Sequence, residues 1–227
     1  MSHSQIAPAI NYWGTPVVLL STRNEDGSSN IGPMSSAWWL GDRCILGLEF
    51  DSQSTINLLG NGECVLNLPS SDMITAVNAI ARTTGTENLP AFKAANGYRY
   101  VKDKFKEANL TAQPGDLVNV SRIKECPVQM EARLVHHYAT KGGFVEIVEV
   151  EVLRTYVIDA IRMKGHKNRI DPDLWRPMIM NFQQLYGLQE GGRTQESVLA
   201  GIGEENYRAL APYPEGSEAT LQERLLE

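Results

Sequence analysis

The sequence predicts a mainly β protein with some α structure, in which antiparallel strands form a small closed or split barrel. Short apolar segments rich in β-branched residues alternate with turn signals, and two longer segments alternate apolar with polar residues. A regular succession of strand and helix, which a doubly wound parallel sheet requires, is absent from the pattern. The 227 residues suit one large domain, or a core domain with attachments.

The first part of the chain predicts a hairpin and a third strand. Residues 16–22 are apolar and β-branched, and residues 24–27 (NEDG) are a turn signal because glycine accepts a positive φ. The return arm is predicted over 30–39 and the third strand over 44–50. Pro33 cannot donate to a strand ladder, so the return arm is expected to be an edge or an irregular opening.

Helices are predicted between the strands. Residues 52–60 are hydroxyl-rich at their start, so Ser52 or Ser54 can cap a first helix there. A strand over 63–68 follows, and residues 71–82 carry apolar side chains at helical spacing. These segments predict two helices that interrupt the strand order.

Two long strands follow a polar stretch. Residues 83–119 are predicted to form loops around a short helix near 101–108. The first long strand alternates apolar and polar residues over 128–134. The second, over 145–152, changes its apolar parity between Ile147 and Val148, which predicts a bulge at that point.

Composition narrows the class of protein. The net charge is −6, which argues against a broad nucleic-acid surface. Cys44, Cys64 and Cys126 lie far apart without a paired spacing, which favours a reducing compartment and no metal site. The N-terminus lacks a basic start followed by an apolar run, and no segment has the length to span a bilayer. We therefore expect a cytoplasmic protein without a membrane or nucleic-acid partner.

An irregular, small-residue segment is the first candidate for binding. Residues 30–37 include Gly32, Pro33 and two adjacent serines, and two tryptophans follow. Small side chains on an irregular strand leave main-chain groups free to meet the polar edge of a flat ligand, beside apolar walls of tryptophan. The alternative is a hairpin shoulder with core aromatic residues.

A group of hydroxyls is the second candidate. Ser52, Ser54 and Thr55 lie at the start of the first predicted helix. Free N–H groups and the positive end of the helix dipole favour a phosphate there. The alternative is an ordinary N-cap.

Other polar residues give little support to catalysis or metal binding. His136 and His137 are adjacent on a strand, so their rings point to opposite faces and cannot chelate one metal together. Motifs of serine hydrolases, phosphate loops and dinucleotide folds are absent. Four glutamates on the long strands are expected to be solvated or paired across strands: Glu131, Glu146, Glu149 and Glu151.

In their order and spacing, five segments resemble the flavin reductase-like family of FMN-binding split barrels, which includes flavoredoxin and the reductase components of two-component monooxygenases. The matching stretches are 16–22, 30–37, 54–57, 62–69 and 125–131. The resemblance covers 12–188 and implies an antiparallel split β-barrel domain there, with inserted and peripheral helices. Residues 189–227 are expected to be a helical C-terminal extension, packed on the core or on a dimer partner.

The resemblance implies a homodimer that binds FMN near the subunit interface. The flavin ring would be lined by Asn30, Met34, Ser35, Ser36 and Ala37. The ribityl chain would pass Glu49, Phe50 and Asp51, and the phosphate would meet Ser52, Ser54 and Thr55. Asn57 would steady that turn. No catalytic residue and no metal are implied, because the flavin supplies the chemistry.

The implied activity is hydride transfer from NADH or NADPH to the flavin, and from there to a small-molecule electron acceptor. The alternatives are a flavin-binding electron carrier without its own NAD(P)H turnover, and a pyridoxamine-phosphate-oxidase-like or haem-binding relative. The sequence departs from the family in one respect, because residues 51–55 contain no cation for the phosphate and one acid. The candidate cations elsewhere are Arg23, Arg43, Arg82 and the basic residues of 164–169.

Overall fold

The structure, a computed structural model, describes residues 1–188. The strands are β1 Trp13–Pro16, β2 Val18–Arg23, β3 Ser29–Met34, β4 Ala37–Leu40, β5 Arg43–Glu49, β6 Glu63–Leu68, β7 Thr83–Thr84, β8 Arg99–Tyr100, β9 Ala112–Gln113, β10 Arg122–Ile123, β11 Val128–Ala139, β12 Val145–Val157, β13 Met178–Asn181 and β14 Gln184–Gly187. The helices are α1 Gln53–Asn61, α2 Ile74–Ala81, α3 Ala91–Ala95 and α4 Lys104–Glu107, with 3₁₀ turns at Ser71–Met73 and Asp159–Ile161.

Seven strands form the central antiparallel sheet, in the order β3-β2-β6-β11-β12-β5-β4. The chain passes directly from the edge strand β3 to the opposite edge strand β4 through Ser35 and Ser36, so the sheet curls back on itself. The inner face is a continuous apolar core that includes Val18, Leu20, Leu46, Leu66, Val148 and Val150. The antiparallel architecture with inserted helices agrees with the predicted fold class.

A second apolar core lies on the outer face of the sheet. Leu19 and Ile31 point away from the barrel interior and pack with Val77 and Ile80 of α2 and Phe105 of α4. Both faces of β2 are therefore covered, which explains why residues 16–22 are apolar without interruption. The short helices predicted over 71–82 and near 101–108 are confirmed as α2 and α4.

The predicted return arm over 30–39 is wrong as a single strand. Its first half, β3, pairs with β2, whereas its second half, β4, pairs with β5 at the far edge. The small residues Ser35 and Ser36 permit the change of direction between them. Pro33 does lie on an edge strand, as predicted from its missing N–H.

The predicted bulge between Ile147 and Val148 is also wrong. These residues pair with consecutive partners on β11, Tyr138 and His137. The irregularities of this strand pair lie elsewhere, between Glu131 and Ala132 and between Leu134 and His136. The bend of the two long strands is therefore produced at other positions than the apolar pattern indicated.

The physical reason for the misplaced bulge is a buried carboxylate. Glu146 lies on the same face of β12 as Val148 and is buried, with the ring of His137 as hydrogen-bond partner. Glu131 is fully buried as well. The expectation of solvated or cross-strand glutamates is wrong for Glu131, because it is fully buried and its partners lie in the segment 116–122 and not on the two strands beside β11. It is confirmed for Glu146, which pairs with His137 of the neighbouring strand β11, and for the two glutamates that face Arg43 across the sheet, Glu149 and Glu151.

The predicted helical extension over 189–227 lies outside the described residues. Within 1–188, no helix has both the length and the apolar character needed to cross a membrane. In the same part of the chain, no three side chains of histidine, cysteine, aspartate or glutamate gather where a metal ion could be held.

Candidate functional site

A cavity of about 290 Å³ lies between the edge strand β3, the start of α1 and the segments that carry α3 and α4. Its wall includes Gly32, Met34 and Ser36 from β3 and the turn after it. Helix α1 contributes its first residues, and the outer segments contribute two lysines. The two candidate segments of the sequence, 30–37 and the start of α1, thus meet at one cavity.

The start of α1 is built as an open N-terminus. Ser52 is the cap, in extended backbone geometry, and its Oγ accepts a hydrogen bond of 3.2 Å from the N–H of Thr55. The helix ends at Gly62, whose φ of 73° is left-handed and favours glycine. Ser52 and Ser54 both lie on the cavity wall, so the positive end of the helix dipole faces the cavity.

Ser54 is held by a close approach to β3. Its Oγ accepts a hydrogen bond of 3.1 Å from Nδ2 of Asn30. A Cβ added to Gly32 would lie 2.7 Å from the same Oγ, so a side chain at position 32 collides with Ser54. Oδ1 of Asn30 is buried without a hydrogen-bond partner, which leaves one acceptor unsatisfied at this corner of the site.

Two residues of the predicted phosphate turn, Thr55 and Asn57, bond to other groups of the protein and not to the cavity. Thr55 is fully buried, and its hydroxyl donates to the carbonyl of Glu49 over 2.7 Å. Asn57 donates to Thr22 Oγ1 at 3.0 Å and to Asn24 Oδ1 at 2.8 Å. Neither Thr55 nor Asn57 lies on the cavity wall. Thr55 fixes α1 to the end of β5, and Asn57 fixes it to β2 and the turn after it, so that Ser52 and Ser54 keep their positions.

The remaining predicted site residues divide into two groups. Met34, Ser36 and Glu49 lie on the cavity wall. The others lie off the wall. Ser35 and Ala37 are buried behind it, and Asn30 lies behind Ser54. Phe50 is half exposed, and Asp51 flanks the start of α1. The two tryptophans after the segment, Trp38 and Trp39, are also off the wall.

The cation near the helix start is Lys93, which sequence reasoning missed. Its Nζ lies 2.7 Å from Oε2 of Glu49 and 3.8 Å from Oδ1 of Asp51. None of the arginines proposed from the sequence, and no residue of 164–169, lies on the wall. Lys93 belongs to α3, remote along the chain from α1, and its only signal is a lone lysine in an otherwise apolar five-residue helix.

A second lysine lies deeper in the wall. Lys104 is only 4% exposed, and its Nζ donates to the carbonyl of Ile31 over 2.8 Å. Burial lowers the pKa of Lys104 from 10.5 to about 8, because the low dielectric disfavours the charged form. A difference of this size corresponds to roughly 3 kcal/mol of stability lost while the ammonium is charged.

This burial predicts a pH effect on stability. The unfolded chain, with its pKa near 10.5, binds more protons at position 104 than the folded chain between about pH 8 and 10.5. The contribution of Lys104 to the free energy of unfolding therefore rises with pH across this window and falls as pH drops to 8. Thermal unfolding of wild type and of Lys104→Met between pH 7 and 10.5 measures this contribution. The melting temperature of wild type should rise relative to that of the variant as the pH is raised. A pH-independent difference would contradict the expectation.

A neighbouring cavity of about 470 Å³ shares Gln53 and Gly85 with the first. Its wall carries the carboxylates of Glu25, Asp26 and Glu87. The two cavities therefore provide space for two ligands side by side.

The cysteines do not supply a nucleophile. Cys44, Cys64 and Cys126 are buried and free. Burial raises the pKa of the Cys44 thiol to about 12, and it raises the pKa of the other two further. Thiols of this kind stay protonated and unreactive near neutral pH.

Comparison with known proteins places the chain in a family. A family model described as the flavin reductase like domain matches residues 11–186. The uncharacterized protein YdfE of Bacillus subtilis (strain 168) is 39% identical over 195 residues, which cover 85% of this chain and 93% of YdfE.

Solved structures share the fold at low sequence identity. Flavoredoxin of Desulfovibrio vulgaris (Miyazaki F) matches with a TM-score of 0.71 and 19% identity, over 88% of this chain and 99% of that one. Nitrilotriacetate monooxygenase component B from Bacillus cereus matches with a TM-score of 0.67 and 18% identity, over 87% and 100%. At identities this low, the matches establish the fold alone. These structural matches confirm the expected split-barrel class. With its sequence matched over 11–186, the chain belongs to the flavin reductase like domain family.

Proposed function

We propose that this chain binds FMN in the cavity at the start of α1 and acts as an oxidoreductase of flavin reductase type. In this role it passes hydride from NADH or NADPH to the flavin and electrons onward to a small-molecule acceptor. One observation carries the proposal: an open helix N-terminus with two serines and a lysine, Ser52, Ser54 and Lys93, borders a cavity lined by a small-residue strand.

The donor set at the helix start suits a phosphate. The first N–H groups of α1, the hydroxyl of Ser54 and the ammonium of Lys93 offer donors and positive charge together. Ser52 lines the same wall, but its hydroxyl donates to Oγ1 of Thr55 at 2.8 Å. Glu49 and Asp51 hold Lys93 in place, so it is already positioned before a ligand arrives. These residues would hold the phosphate of FMN, and the family supports a flavin as the rest of the ligand.

The other end of the cavity suits a flat, polar-edged ring. Gly32, Pro33, Met34 and Ser36 present main-chain groups and small side chains on this wall. A bound flavin supplies hydride acceptance and electron transfer. The residues of the chain bind and orient it.

The second cavity is the proposed binding site of the nicotinamide nucleotide. It joins the first at Gln53 and Gly85, so its ligand would lie beside the flavin. The carboxylates on its wall can accept hydrogen bonds from ribose hydroxyls.

We also propose that the chain is a cytoplasmic homodimer. The edge strand β4 exposes Trp38 at 57% and Leu40 at 76%, an unusual exposure for large apolar residues. An apolar unpaired edge is a surface that a second copy covers.

The decisive experiment identifies the chromophore and then tests turnover. Purified protein is denatured, and the released chromophore is identified by absorption and mass. Protein stripped of ligand is then titrated with FMN and assayed for NADH and NADPH oxidation. FMN binding with nicotinamide oxidation supports the proposal. FMN binding without oxidation, in the presence of added flavin, supports an electron carrier instead, and no binding of any flavin overturns the proposal.

Replacement of Lys93 by methionine is expected to weaken FMN binding by roughly tenfold or more. The change removes the ammonium and leaves the carboxylates of Glu49 and Asp51 unpaired beside the phosphate. Quenching of flavin fluorescence measures the affinity. Lys141→Met, a change of an exposed lysine in the β11–β12 turn, is the control and should leave the affinity unchanged. Equal affinities in the two variants would remove Lys93 from the site.

A further inference from the structure

We propose that Lys104 is a specificity-determining residue that makes the cavity select a phosphorylated flavin over riboflavin. The inference rests on the proposed function, since it concerns the ligand of that same cavity. It assigns to the buried lysine of α4 a role in binding the anionic group.

The two lysines on the cavity wall differ in their partners. Lys93 contacts two carboxylates, those of Glu49 and Asp51, which lower the positive charge that it presents to the cavity. Lys104 lies on the same wall, but its Nζ contacts a neutral carbonyl, that of Ile31. Among the salt bridges of residues 1–188, none includes Lys104. Among the described residues, its ammonium is therefore a cation of the cavity wall that contacts no carboxylate.

The position of Lys104 links it to the phosphate end of the cavity. The carbonyl that it binds belongs to Ile31, the residue before Gly32. Gly32 in turn approaches Ser54 so closely that a Cβ would lie 2.7 Å from its Oγ. Lys104, Gly32 and Ser54 therefore line the same cavity, and Gly32 lies between the carbonyl that Lys104 binds and Ser54 at the start of α1.

The hydrogen bonds of Lys104 leave room for a ligand. An ammonium has three N–H donors, and the structure uses one of them, on Ile31. The remaining two donors can bind anionic oxygens on the cavity side. The low dielectric around a group that is 4% exposed strengthens its attraction for an anion.

Retention of a buried, unpaired cation also points to binding. Burial of a charge without a carboxylate partner costs stability, and its lowered pKa reflects that cost. A methionine would fill a similar volume next to Phe105 without this penalty. The costly residue is explained when a ligand brings the missing negative charge.

The test compares two lysines of one helix against two flavins. Lys104→Met removes the buried ammonium, and Lys106→Met removes an exposed one two residues away. Affinities for FMN and for riboflavin are measured by fluorescence quenching on ligand-free protein. Lys104→Met should lose roughly tenfold or more in FMN affinity and keep its riboflavin affinity within about twofold. Lys106→Met should keep both.

Two outcomes overturn the inference. If Lys104→Met binds FMN as tightly as Lys106→Met does, Lys104 has no role in binding. If it loses FMN and riboflavin equally, its role is in the shape of the cavity and not in phosphate selection. Wild type that binds neither flavin is a different failure, because it overturns the proposed function itself.

A measurement on wild type makes the test independent of how the variant folds. Protein with ¹³C-labelled lysine is titrated with FMN and with riboflavin, and the Lys104 side-chain signal is assigned by comparison with Lys104→Arg. FMN should raise the pKa of Lys104, because a phosphate favours the charged ammonium, and riboflavin should not. An equal pKa with both flavins overturns the inference.

Discussion

Replacement of Glu131 by glutamine is expected to lower the free energy of unfolding by about 3–5 kcal/mol, the range for breaking a buried ion pair. Glu131 lies on β11 and is fully buried. Its two carboxylate oxygens accept hydrogen bonds of 2.8 Å from the backbone N–H groups of Asp116 and Leu117. The guanidinium of Arg122 lies 3.4 Å from one of them.

Glutamine cannot satisfy these partners. Its amide nitrogen carries hydrogen atoms and would face a backbone N–H, donor against donor. Arg122 would at the same time lose its buried counter-charge, while it remains stacked at 3.9 Å over the ring of Tyr156. Each buried group left without its partner adds to the loss of stability. The segment that holds β9 and β10 would lose one of its anchors on the sheet, while those of Asn119 on Glu63 and Ile123 on Asn67 remain.

Chemical denaturation of the variant measures the loss. Glu149→Gln is the matched control, since Glu149 is on the neighbouring strand and makes a partly exposed contact of 3.7 Å with Arg43. Its expected loss is about 0–1 kcal/mol. A loss for Glu131→Gln no larger than that of the control would show that the buried carboxylate does not anchor the segment.

Replacement of Gly32 by valine is expected to weaken FMN binding about 100-fold, which equals about 2.7 kcal/mol. The new Cβ would lie 2.7 Å from Oγ of Ser54, closer than real contacts allow, and the methyl groups would extend into the cavity. Valine is otherwise favourable in a strand, so β3 itself is expected to persist. The change is therefore expected to lower the affinity for FMN and not to unfold the strand, and quenching of flavin fluorescence measures this affinity.

Gly60→Ala is the control for this change. Gly60 is on α1, and a Cβ there meets no atom within 4 Å. Alanine in a helix is favoured over glycine by up to about 1 kcal/mol, so this variant should keep or gain stability and bind FMN normally. If Gly32→Val also binds FMN normally, the ligand does not occupy the corner between β3 and α1.

Local patterns were sufficient for most elements of the barrel. The strand over 63–68 and the helices over 52–60 and 71–82 appear in the structure where spacing and caps predicted them. Caps and periodicity depend on neighbours within one or two turns, so a sequence window contains them. The hydroxyls of Ser52 and Ser54 also lie on one cavity with residues of 30–37, as their order along the chain suggested.

The errors arose where the partner of a buried carboxylate lies outside the carboxylate's own strand. The parity of β12 was misjudged because Glu146 is buried with His137 as its partner, and a carboxylate alone predicts exposure. Glu131 was expected at the surface because its anchoring segment lies elsewhere in the chain. In both cases the partner, absent from the local pattern, makes burial tolerable.

The sequence by itself determined the fold class, the helix that begins at Ser52 and the small-residue strand beside it, since each depends on spacing and on residue type over short distances. The tertiary structure decided which charges lie on the cavity wall. Lys93 and Lys104 come from short helices that no local pattern ties to α1, and they reach the cavity because the sheet curls and its outer face is covered. Electrostatic partners are chosen by distance in space, and that distance is set only when the chain has packed.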